Sequence, residues 1–378
     1  MKPGYRHLRI SARLLLAATA LLLRGTLLAQ QSTPPAASTP WELQNSTTTA
    51  GLRGIHAVGG PAAWASGANG TTLRTEDGGH LWQSCAMPPG AEKLDFRGIW
   101  AWDANTAVVM SSGPGDLSRL YKTSDGCSSW KLLDTNPDKD GFWDAMVFAF
   151  PNLGYLLGDP VNGSFKIIRI SVNDRSSYSH TDIAGPQVDA KRFGAYAASN
   201  SSIAFFRTPT PGEVRTWIGV GGKGGAIVFS GSLNTPACTT CGQPLLAAAA
   251  VPLTSGTDSS GVFSLAFRDQ NHGLAVGGDY KKPNESNGTA AYTFDGGKTW
   301  TAAAKPPHGY RSAVAWDPAD KAWISAGTNG SDVSYDDGKT WQYLDSGNWN
   351  ALSLPWVVGP EGRIAKLVSL KLAGTPGK

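Results

Sequence analysis

Four copies of one eight-residue motif constrain the fold of this chain more than any other feature. Each copy starts with Thr or Ser, has Asp at its third position and Gly at its fourth or fifth, and ends in Trp; the copies are 75–82, 123–130, 293–300 and 334–341. The Asp carboxylate can accept hydrogen bonds from turn amides, Gly supplies a positive φ, and Trp begins the next strand. The motif therefore predicts a recurring β-turn between two strands, in a chain built from structural repeats.

This interpretation gives the Asp residues of the motif a structural role; they are Asp77, Asp125, Asp295 and Asp336. The second copy is degenerate, because Cys127 stands where the other copies have Gly. The alternative, that these carboxylates are catalytic acids or metal ligands, is weaker because the turn itself explains why each Asp is there. We therefore expect no metal site at these positions.

The composition favours strands joined by tight turns, with 46 Gly, 14 Trp and only 16% charged residues. Seven segments are candidate innermost strands of the repeats, and they begin at Leu52, Phe96, Phe142, Arg192, Val262, Tyr310 and Trp349. Their spacing suits four-stranded units, except for an excess in the fourth that we assign to an insertion at 231–259. The sequence thus predicts an all-β fold, a seven-bladed β-propeller of four-stranded antiparallel blades over residues 41–372.

The last blade lacks a fourth strand of its own in the sequence, since no copy of the motif follows its third strand. The segment Trp41-Glu-Leu-Gln44 is similar to Trp341-Gln-Tyr-Leu344, which follows the fourth copy of the motif. We therefore expect the N-terminal strand to complete the last blade and close the ring, which protects the strand edges.

Residues 1–29 are typical of an export signal, with five basic residues, no acidic residue, an apolar run at 14–23 and small residues before the predicted cleavage site. The apolar run is too short to span a bilayer, although a retained membrane anchor is the alternative. Residues 30–40 then form a short linker and 373–378 a tail. The leader accounts for the formal charge of +4, so the mature chain is nearly neutral and nucleic-acid binding is not expected. We expect a periplasmic or secreted monomer.

Export makes disulfides possible. The pair Cys238-Thr-Thr-Cys241 lies inside the predicted insertion, and a loop-stiffening disulfide is its simplest interpretation. A redox pair would need a helix start, and zinc would need two more ligands of suitable spacing, which are not found among the six His. Cys85 and Cys127 follow the first two motif regions and could pair across neighbouring blades.

A binding site is expected at the end of the ring opposite the motif turns. The second residue of each innermost strand would surround the central opening there, giving the series Arg53, Arg97, Trp143, Phe193, Phe263, Arg311 and Asn350. This order predicts a mainly cationic arc facing an aromatic arc. Asp144 interrupts the column of small residues beside it, and it could either form a salt bridge that stabilises the ring or bind a ligand.

The turns between second and third strands would add charged residues to the same end of the ring. Asp159, Lys223 and Asp279 lie in such Gly-rich turns, and Tyr280 and Tyr310 are nearby candidates. The longest of these turns, 278–289, is the best candidate for a loop that covers a ligand. The predicted ligand-binding residues are Arg53, Arg97, Arg311, Asp144, Asp159, Lys223, Asp279, Tyr280 and Tyr310. No motif for a dinucleotide or haem is present, so no cofactor is expected.

The motif resembles the Asp-box, or BNR repeat, of sialidase-type β-propellers. Residues 41–370 also resemble the bacterial BNR-like propeller family related to the photosystem II assembly and stability factor; the matching stretches are Phe96-Arg-Gly-Ile, Ser112-Gly-Pro-Gly, Gly158-Asp-Pro-Val, Gly277-Gly-Asp-Tyr and Gly309-Tyr-Arg-Ser. The resemblance implies a seven-bladed ring that holds a protein or a ligand on one face. It does not imply photosynthesis.

Two functions of different classes follow from these observations. The first is an exported, non-catalytic module that binds an unidentified protein partner or an anionic or carbohydrate ligand through one face. The alternative is a sialidase-like glycoside hydrolase that uses the arginine cluster as a carboxylate clamp. Hydrolysis would also need an acid and a Tyr–Glu pair, and Glu is rare in the mature chain. A redox role has the least support.

Overall fold

The computed structural model describes residues 40–172, 177–208, 213–233 and 246–370. The predicted leader 1–29, nearly all of the linker 30–40, the tail 373–378 and the pair Cys238 and Cys241 lie outside these residues, as does part of the predicted insertion 231–259. The described residues contain 28 β-strands and one turn of 3-10 helix, Gly115–Leu117. No helix in this part of the chain is long and apolar enough to cross a membrane.

The strands form seven four-stranded antiparallel sheets, which are the blades. Blade one contains β2 (Leu52–Gly59), β3 (Ala62–Gly67), β4 (Thr72–Thr75) and β5 (Gln83–Ser84). Blade two contains β6 (Phe96–Ala101), β7 (Ala107–Ser111), β8 (Arg119–Thr123) and β9 (Lys131–Thr135). Blade three contains β10 (Trp143–Phe150), β11 (Leu153–Val161), β12 (Ser164–Val172) and β13 (Tyr178–Gln187).

The second half of the ring repeats this arrangement. Blade four contains β14 (Ile203–Arg207), β15 (Val214–Val220), β16 (Ile227–Gly231) and β17 (Ala247–Ala250). Blade five contains β18 (Ser260–Phe267), β19 (Gly273–Asp279), β20 (Ala290–Thr293) and β21 (Thr301–Ala302). Blade six contains β22 (Ala313–Asp317), β23 (Ala322–Gly327), β24 (Gly330–Ser334) and β25 (Gln342–Asp345). Blade seven contains β26 (Ala351–Ser353), β27 (Trp356–Val358), β28 (Ile364–Leu367) and the N-terminal β1 (Trp41–Gln44).

The N-terminal strand closes the ring, as the sequence predicted. β1 runs antiparallel to β28, with Trp41 opposite Leu367 and Gln44 opposite Ile364. Each innermost strand contacts the innermost strand of the next blade, and β26 of the last blade contacts β2 of the first. The seven-bladed, all-β propeller is therefore confirmed.

The hydrophobic core is divided among the blade interfaces. Seven clusters of buried side chains occur among the described residues, one between each pair of adjacent blades. Between blades seven and one, for example, Trp82 meets Trp356 edge to face, with ring centroids 5.3 Å apart. Because both faces of a blade are covered, its middle strands are largely buried, and every residue of β7 is buried.

The four motif copies form the turns between the third and fourth strands of blades one, two, five and six. In the first copy, Asp77 Oδ1 accepts hydrogen bonds from Thr75 Oγ1 at 2.8 Å and from the Leu81 backbone N–H at 3.0 Å. Asp125, Asp295 and Asp336 accept equivalent bonds in the other copies. Hydrogen bonds from the Ser129 side chain and backbone lower the pKa of Asp125 to about 2. Each of these carboxylates is therefore engaged in hydrogen bonds within its own turn.

Two copies depart from the motif at positions of positive φ, and in each case the replacement makes a contact between blades. Cys127 has φ +62°, at the place where Gly79, Gly297 and Gly338 stand in the other copies. It forms a disulfide with Cys85, which follows the last strand of blade one, so this pairing is present in the structure. Asp337 has φ +58°, and its carboxylate receives two hydrogen bonds from Arg268 of blade five, at 2.9 and 3.0 Å.

The strand directions separate two ends of the ring. Each innermost strand starts at one end, which we call the upper end, and after three antiparallel strands the chain has reached the opposite, lower end. The motif turns therefore lie at the lower end, and the turns between second and third strands lie at the upper end.

Candidate functional site

A β-bulge at the start of the innermost strand turns one residue of a blade toward the axis. In blades one, two, three and five the strand pairing shifts by one residue at this place, and the residues left without a partner are Arg53, Arg97, Asp144 and Phe263. A bulge of this kind redirects a side chain that would otherwise follow the strand alternation. Ser312 and Asn350, each directly before the innermost strand of its blade, face the same space in blades six and seven.

The structure differs by one residue from the predicted series at two blades. Trp143 pairs with Gly158 and is buried in the core, and Asp144 takes the axial position. In blade six the axial residue is Ser312, and Arg311 points into the blade. A shift of one residue reverses the side that a strand residue faces. The prediction therefore selected Trp143 and Arg311, whereas their chain neighbours Asp144 and Ser312 face the axis.

Blade four replaces the one-residue bulge with a longer segment. Gly194 pairs with Gly221, and the regular pairing resumes with Ile203 opposite Ile218, so the innermost strand does not start at Arg192 as predicted. Residues 195–202, which we call the crossing segment, lie between these two points. Phe193, predicted to face the axis, precedes the segment and is not among the residues that line the axial pocket.

The crossing segment joins blades that are distant in sequence. The Ser199 hydroxyl donates to the Ser312 carbonyl of blade six at 2.6 Å, and Ser201 lies 2.7 Å from the Ser264 hydroxyl of blade five. Asn200, with φ +61°, accepts a hydrogen bond from the Met146 N–H of blade three at 2.7 Å. These bonds hold the segment across the axis, where Ala195, Tyr196, Ala197 and Ala198 line the floor and wall of a pocket.

This axial pocket has a volume of about 510 Å³ and opens at the upper end of the ring. All seven blades contribute to its lining. Six of the nine predicted ligand-binding residues are found here, namely Arg53, Arg97, Asp144, Asp159, Tyr280 and Tyr310. Tyr196 and Asp258, which sequence reasoning did not select, also line it.

Arg311 is held inside blade six and does not reach the pocket. Its side chain is completely buried, and Nε donates to Asp332 Oδ2 at 2.7 Å while Nη1 donates to Asn329 Oδ1 at 2.6 Å. His308 Nδ1 lies 2.8 Å from the other oxygen of Asp332. Arg311 lies just before β22 and is buried against Asp332 of β24, so its charge is neutralised within the blade.

The two remaining predicted residues lie at the upper end but outside the pocket. The Lys223 ammonium group forms an exposed ion pair with Asp258, 2.8 Å between Nζ and Oδ2. Asp279 is buried at the end of its strand, where Oδ1 accepts the Lys281 N–H at 3.0 Å and stabilises the following turn. Neither side chain lines the pocket.

Two arginines form the cationic side of the pocket, and they differ in their surroundings. Arg97 Nε donates to Asp95 at 2.8 Å, and Nη1 donates to the Ala197 carbonyl of the crossing segment at 3.3 Å. Arg53 makes no hydrogen bond or ion pair with another described residue, while burial and nearby Arg97 lower its pKa. Arg53 is therefore the cation of the pocket that is available to a ligand.

Asp144 and Asp159 form an acidic pair beside these arginines. Asp144 is only 1% exposed, and its Oδ2 has no hydrogen-bond partner in the described part of the chain. Burial and the neighbouring Asp159 raise the pKa of Asp144 well above its usual range. Asp159 Oδ1 accepts the Ala195 N–H at 2.9 Å, and burial raises the pKa of Asp159 to about 6.

The opposite side of the pocket is aromatic. Phe263 stacks on Tyr196 with ring centroids 3.8 Å apart and an interplanar angle of 13°. It also forms T-shaped pairs with Tyr310 and Tyr280, with ring centroids 4.9 and 6.2 Å apart. The Tyr196 hydroxyl donates to the Ser260 carbonyl at 2.9 Å, which fixes the ring. Tyr280 is 47% exposed at the rim, so it can contact a ligand as the ligand enters.

The arrangement suits binding better than hydrolysis. The three-arginine cluster is not assembled because Arg311 is buried elsewhere, and no Glu is found among the described residues that line the pocket. Among the described residues, no three His, Cys, Asp or Glu side chains are grouped as metal ligands. Within the part of the chain that the structure describes, the pocket offers the unpaired Arg53 guanidinium, a buried acidic pair and an aromatic wall.

Comparisons with known proteins identify the fold of the chain but not its family. No family model matches the chain, and no curated protein does. A solved structure described as YCF48 bound to D1 peptide is 16% identical with a TM-score of 0.58, over 89% of this chain and all of that one. The WD40 β-propeller domain of Doa1 is 9% identical with a TM-score of 0.53, over 88% of this chain and 97% of that one. These similarities support the β-propeller architecture of the chain.

Proposed function

We propose that this chain is a non-catalytic binding module that holds a peptide segment of a partner protein in the axial pocket. The observation that carries this proposal is the unpaired Arg53 guanidinium opposite the aromatic wall of Tyr196, Phe263 and Tyr310. An arginine and fixed aromatic rings are the side chains that most often contribute strongly to protein recognition. The similar propeller described as YCF48 bound to D1 peptide supports a peptide as the ligand class, because it is a protein of this fold with a bound peptide.

Pocket size is consistent with this proposal. A volume of about 510 Å³ accommodates a few residues of a peptide but not a folded domain. The partner would therefore insert a terminus or an exposed loop, and the upper rim around Tyr280 and Asp258 would contact its flanking residues. We also propose that the protein acts after export, on the basis of the leader-like residues 1–29.

Glycoside hydrolysis has weaker support. It would need an acid and a nucleophile that converge beside the arginines. Asp144 and Asp159 are carboxyls, but the Tyr310 hydroxyl has no Glu partner among the described residues of the pocket. Absence of turnover of a fluorogenic sialoside by the purified protein would agree with a binding role, and arginine-dependent turnover would favour the hydrolase.

The test is selection of ligands from a random peptide display library on the immobilised mature protein. Selected peptides are then titrated, by fluorescence anisotropy, against the wild type, Arg53→Ala and Arg169→Ala. Arg169 is an exposed arginine on β12, outside the pocket, and is the matched control. We expect Arg53→Ala to weaken binding at least about tenfold, as loss of a buried charged hydrogen bond does, and Arg169→Ala to leave it unchanged. Enrichment of no peptide, or equal binding to both variants, would refute the proposal.

A further inference from the structure

One carboxyl oxygen of Asp144, Oδ2, is a polar atom of the axial pocket for which the described part of the chain provides no partner. Asp144 lines the pocket, is 99% buried, and its Oδ2 forms no hydrogen bond with any described residue. Buried polar atoms in native proteins nearly always have a partner, so an exception in a pocket points to a ligand. The blades with a matching bulge carry Arg53, Arg97 and Phe263 at this position, so the structure of a blade does not require a carboxyl here.

Burial, together with the neighbouring Asp159, raises the pKa of Asp144 and favours its neutral form. Asp159 of the neighbouring strand β11 faces it with a second carboxyl group, and both are desolvated. Arg97 of blade two is the cation that acts on Asp144, but its Nε is already bound to Asp95 at 2.8 Å. Arg53 of blade one acts on Arg97, and Tyr196 of the crossing segment is near Asp159. Two adjacent buried carboxyls without a dedicated cation retain a proton on one of them.

We propose that Asp144 takes part in binding as a neutral carboxylic acid and donates a hydrogen bond from its O–H to an acceptor oxygen of the bound peptide. This inference rests on the function proposed above and names a specificity-determining residue for it. Asp144 and the Arg53 guanidinium both line the pocket, and two donors there would select a group that accepts hydrogen bonds, which is a carbonyl oxygen or a carboxylate. Ionised Asp144 could only accept and would repel the same group, so binding should weaken once the proton is lost.

The first measurement needs no ligand. Infrared spectra of the mature wild type and of Asp144→Asn are compared at neutral pH, in the region where a protonated carboxyl group absorbs and a carboxylate does not. We expect a protonated band in the wild type that is missing from Asp144→Asn. A wild type without this band, or with a band that Asp144→Asn leaves unchanged, would overturn the inference.

The second measurement uses the peptides selected on the wild type. Asp144→Asn keeps an N–H donor of the same shape and cannot ionise, whereas Asp144→Leu has no donor. We expect Asp144→Asn to bind within about threefold of the wild type and Asp144→Leu at least about tenfold more weakly, with thermal unfolding used to confirm that both are folded. Asp182→Asn, exposed on the outermost strand β13 and outside the pocket, is the matched control and should bind as the wild type does.

The pH profile provides a readout that a merely structural role would not change. Wild-type affinity should fall with the same midpoint at which the infrared band disappears, and the affinity of Asp144→Asn should not. Peptides with a free and with an amidated C-terminus distinguish a carboxylate acceptor from a chain carbonyl. Wild-type affinity in Asp144→Leu would refute the inference alone, whereas peptides that are insensitive to Arg53→Ala would refute the proposed function.

Discussion

The Cys85–Cys127 disulfide allows a direct measurement of how much a side chain at the positive-φ position of the motif turn lowers the free energy of unfolding. Cys127 has φ +62° where the other three copies have Gly, so the crosslink between blades one and two is combined with backbone strain. We compare two variants without the disulfide. Cys85→Ser/Cys127→Ser keeps a side chain at the strained position, and Cys85→Ser/Cys127→Gly restores the glycine of the other copies.

The structure gives the expected magnitudes. The disulfide closes a loop with a sequence separation of 42 residues, so its loss should cost about 4 kcal/mol in the loop-entropy treatment. A left-handed conformation costs a residue with a side chain about 1–2 kcal/mol, part of which the greater unfolded-state entropy of Gly offsets. The glycine variant should therefore be more stable than the serine variant by about 1 kcal/mol.

Thermal unfolding followed by scanning calorimetry is a suitable assay. For the compact unit Thr39–Lys378, an unfolding entropy of about 2.1 cal/mol/K per residue predicts a Tm shift of about 1.4 °C per kcal/mol. We expect the serine variant to melt about 6 °C below the oxidised wild type, and the glycine variant to recover about 1.5 °C of this difference. A glycine variant no more stable than the serine variant would refute the strain argument. An unchanged Tm in both would refute the stabilising role of the disulfide.

Three further predictions concern the buried polar groups. Arg311→Leu should destabilise the protein by about 3–5 kcal/mol in thermal unfolding because it leaves a buried carboxylate unpaired, whereas Arg53→Ala should leave Tm nearly unchanged; similar losses in both would contradict the placement of Arg311. Burial raises the pKa of Asp159 to about 6, so its stabilisation of about 3 kcal/mol at low pH is lost as the pH rises through 6. Burial lowers the pKa of His56 to about 4, so the stabilisation of about 3 kcal/mol from this residue is lost as the pH falls from 6.5 to 4. The two slopes oppose each other, and Asp159→Asn removes the falling one, so its free energy of unfolding should rise relative to that of the wild type between pH 4 and 6 in denaturant titrations; a difference that does not change with pH would exclude this assignment. Asn200→Ala should cost about 1–3 kcal/mol because it leaves the Met146 N–H without its acceptor, and an unaltered Tm would argue against a structural role for the crossing segment.

The sequence by itself determined the architecture. The motif acts within eight residues, where Thr75, Asp77 and Leu81 satisfy one another's hydrogen bonds, so a local pattern was enough to place each turn. Seven candidate innermost strands, at a spacing that suits four-stranded units, then gave the number of blades. Closure by β1 was also visible in the sequence, since the last blade lacked a fourth strand and the N-terminus supplied one.

The site depended on the tertiary structure. Whether Trp143 or Asp144 faces the axis, and whether Arg311 or Ser312 does, is decided by a one-residue shift in pairing with the neighbouring strand. No periodicity within a single strand records such a shift, because the bulge is defined by two strands together. Arg311 lies before β22 and its partner Asp332 lies on β24 of the same blade, so this ion pair also depends on the tertiary structure.

The crossing segment could not be predicted from the sequence, because its hydrogen bonds join residues that are far apart in the chain. Ser199 and Ser312, for example, are separated by 113 positions. Local patterns determine turns and strands because their partners are a few residues away. The pocket, with Arg53 and Asp144 in its lining, exists only once seven blades have brought residues to one axis.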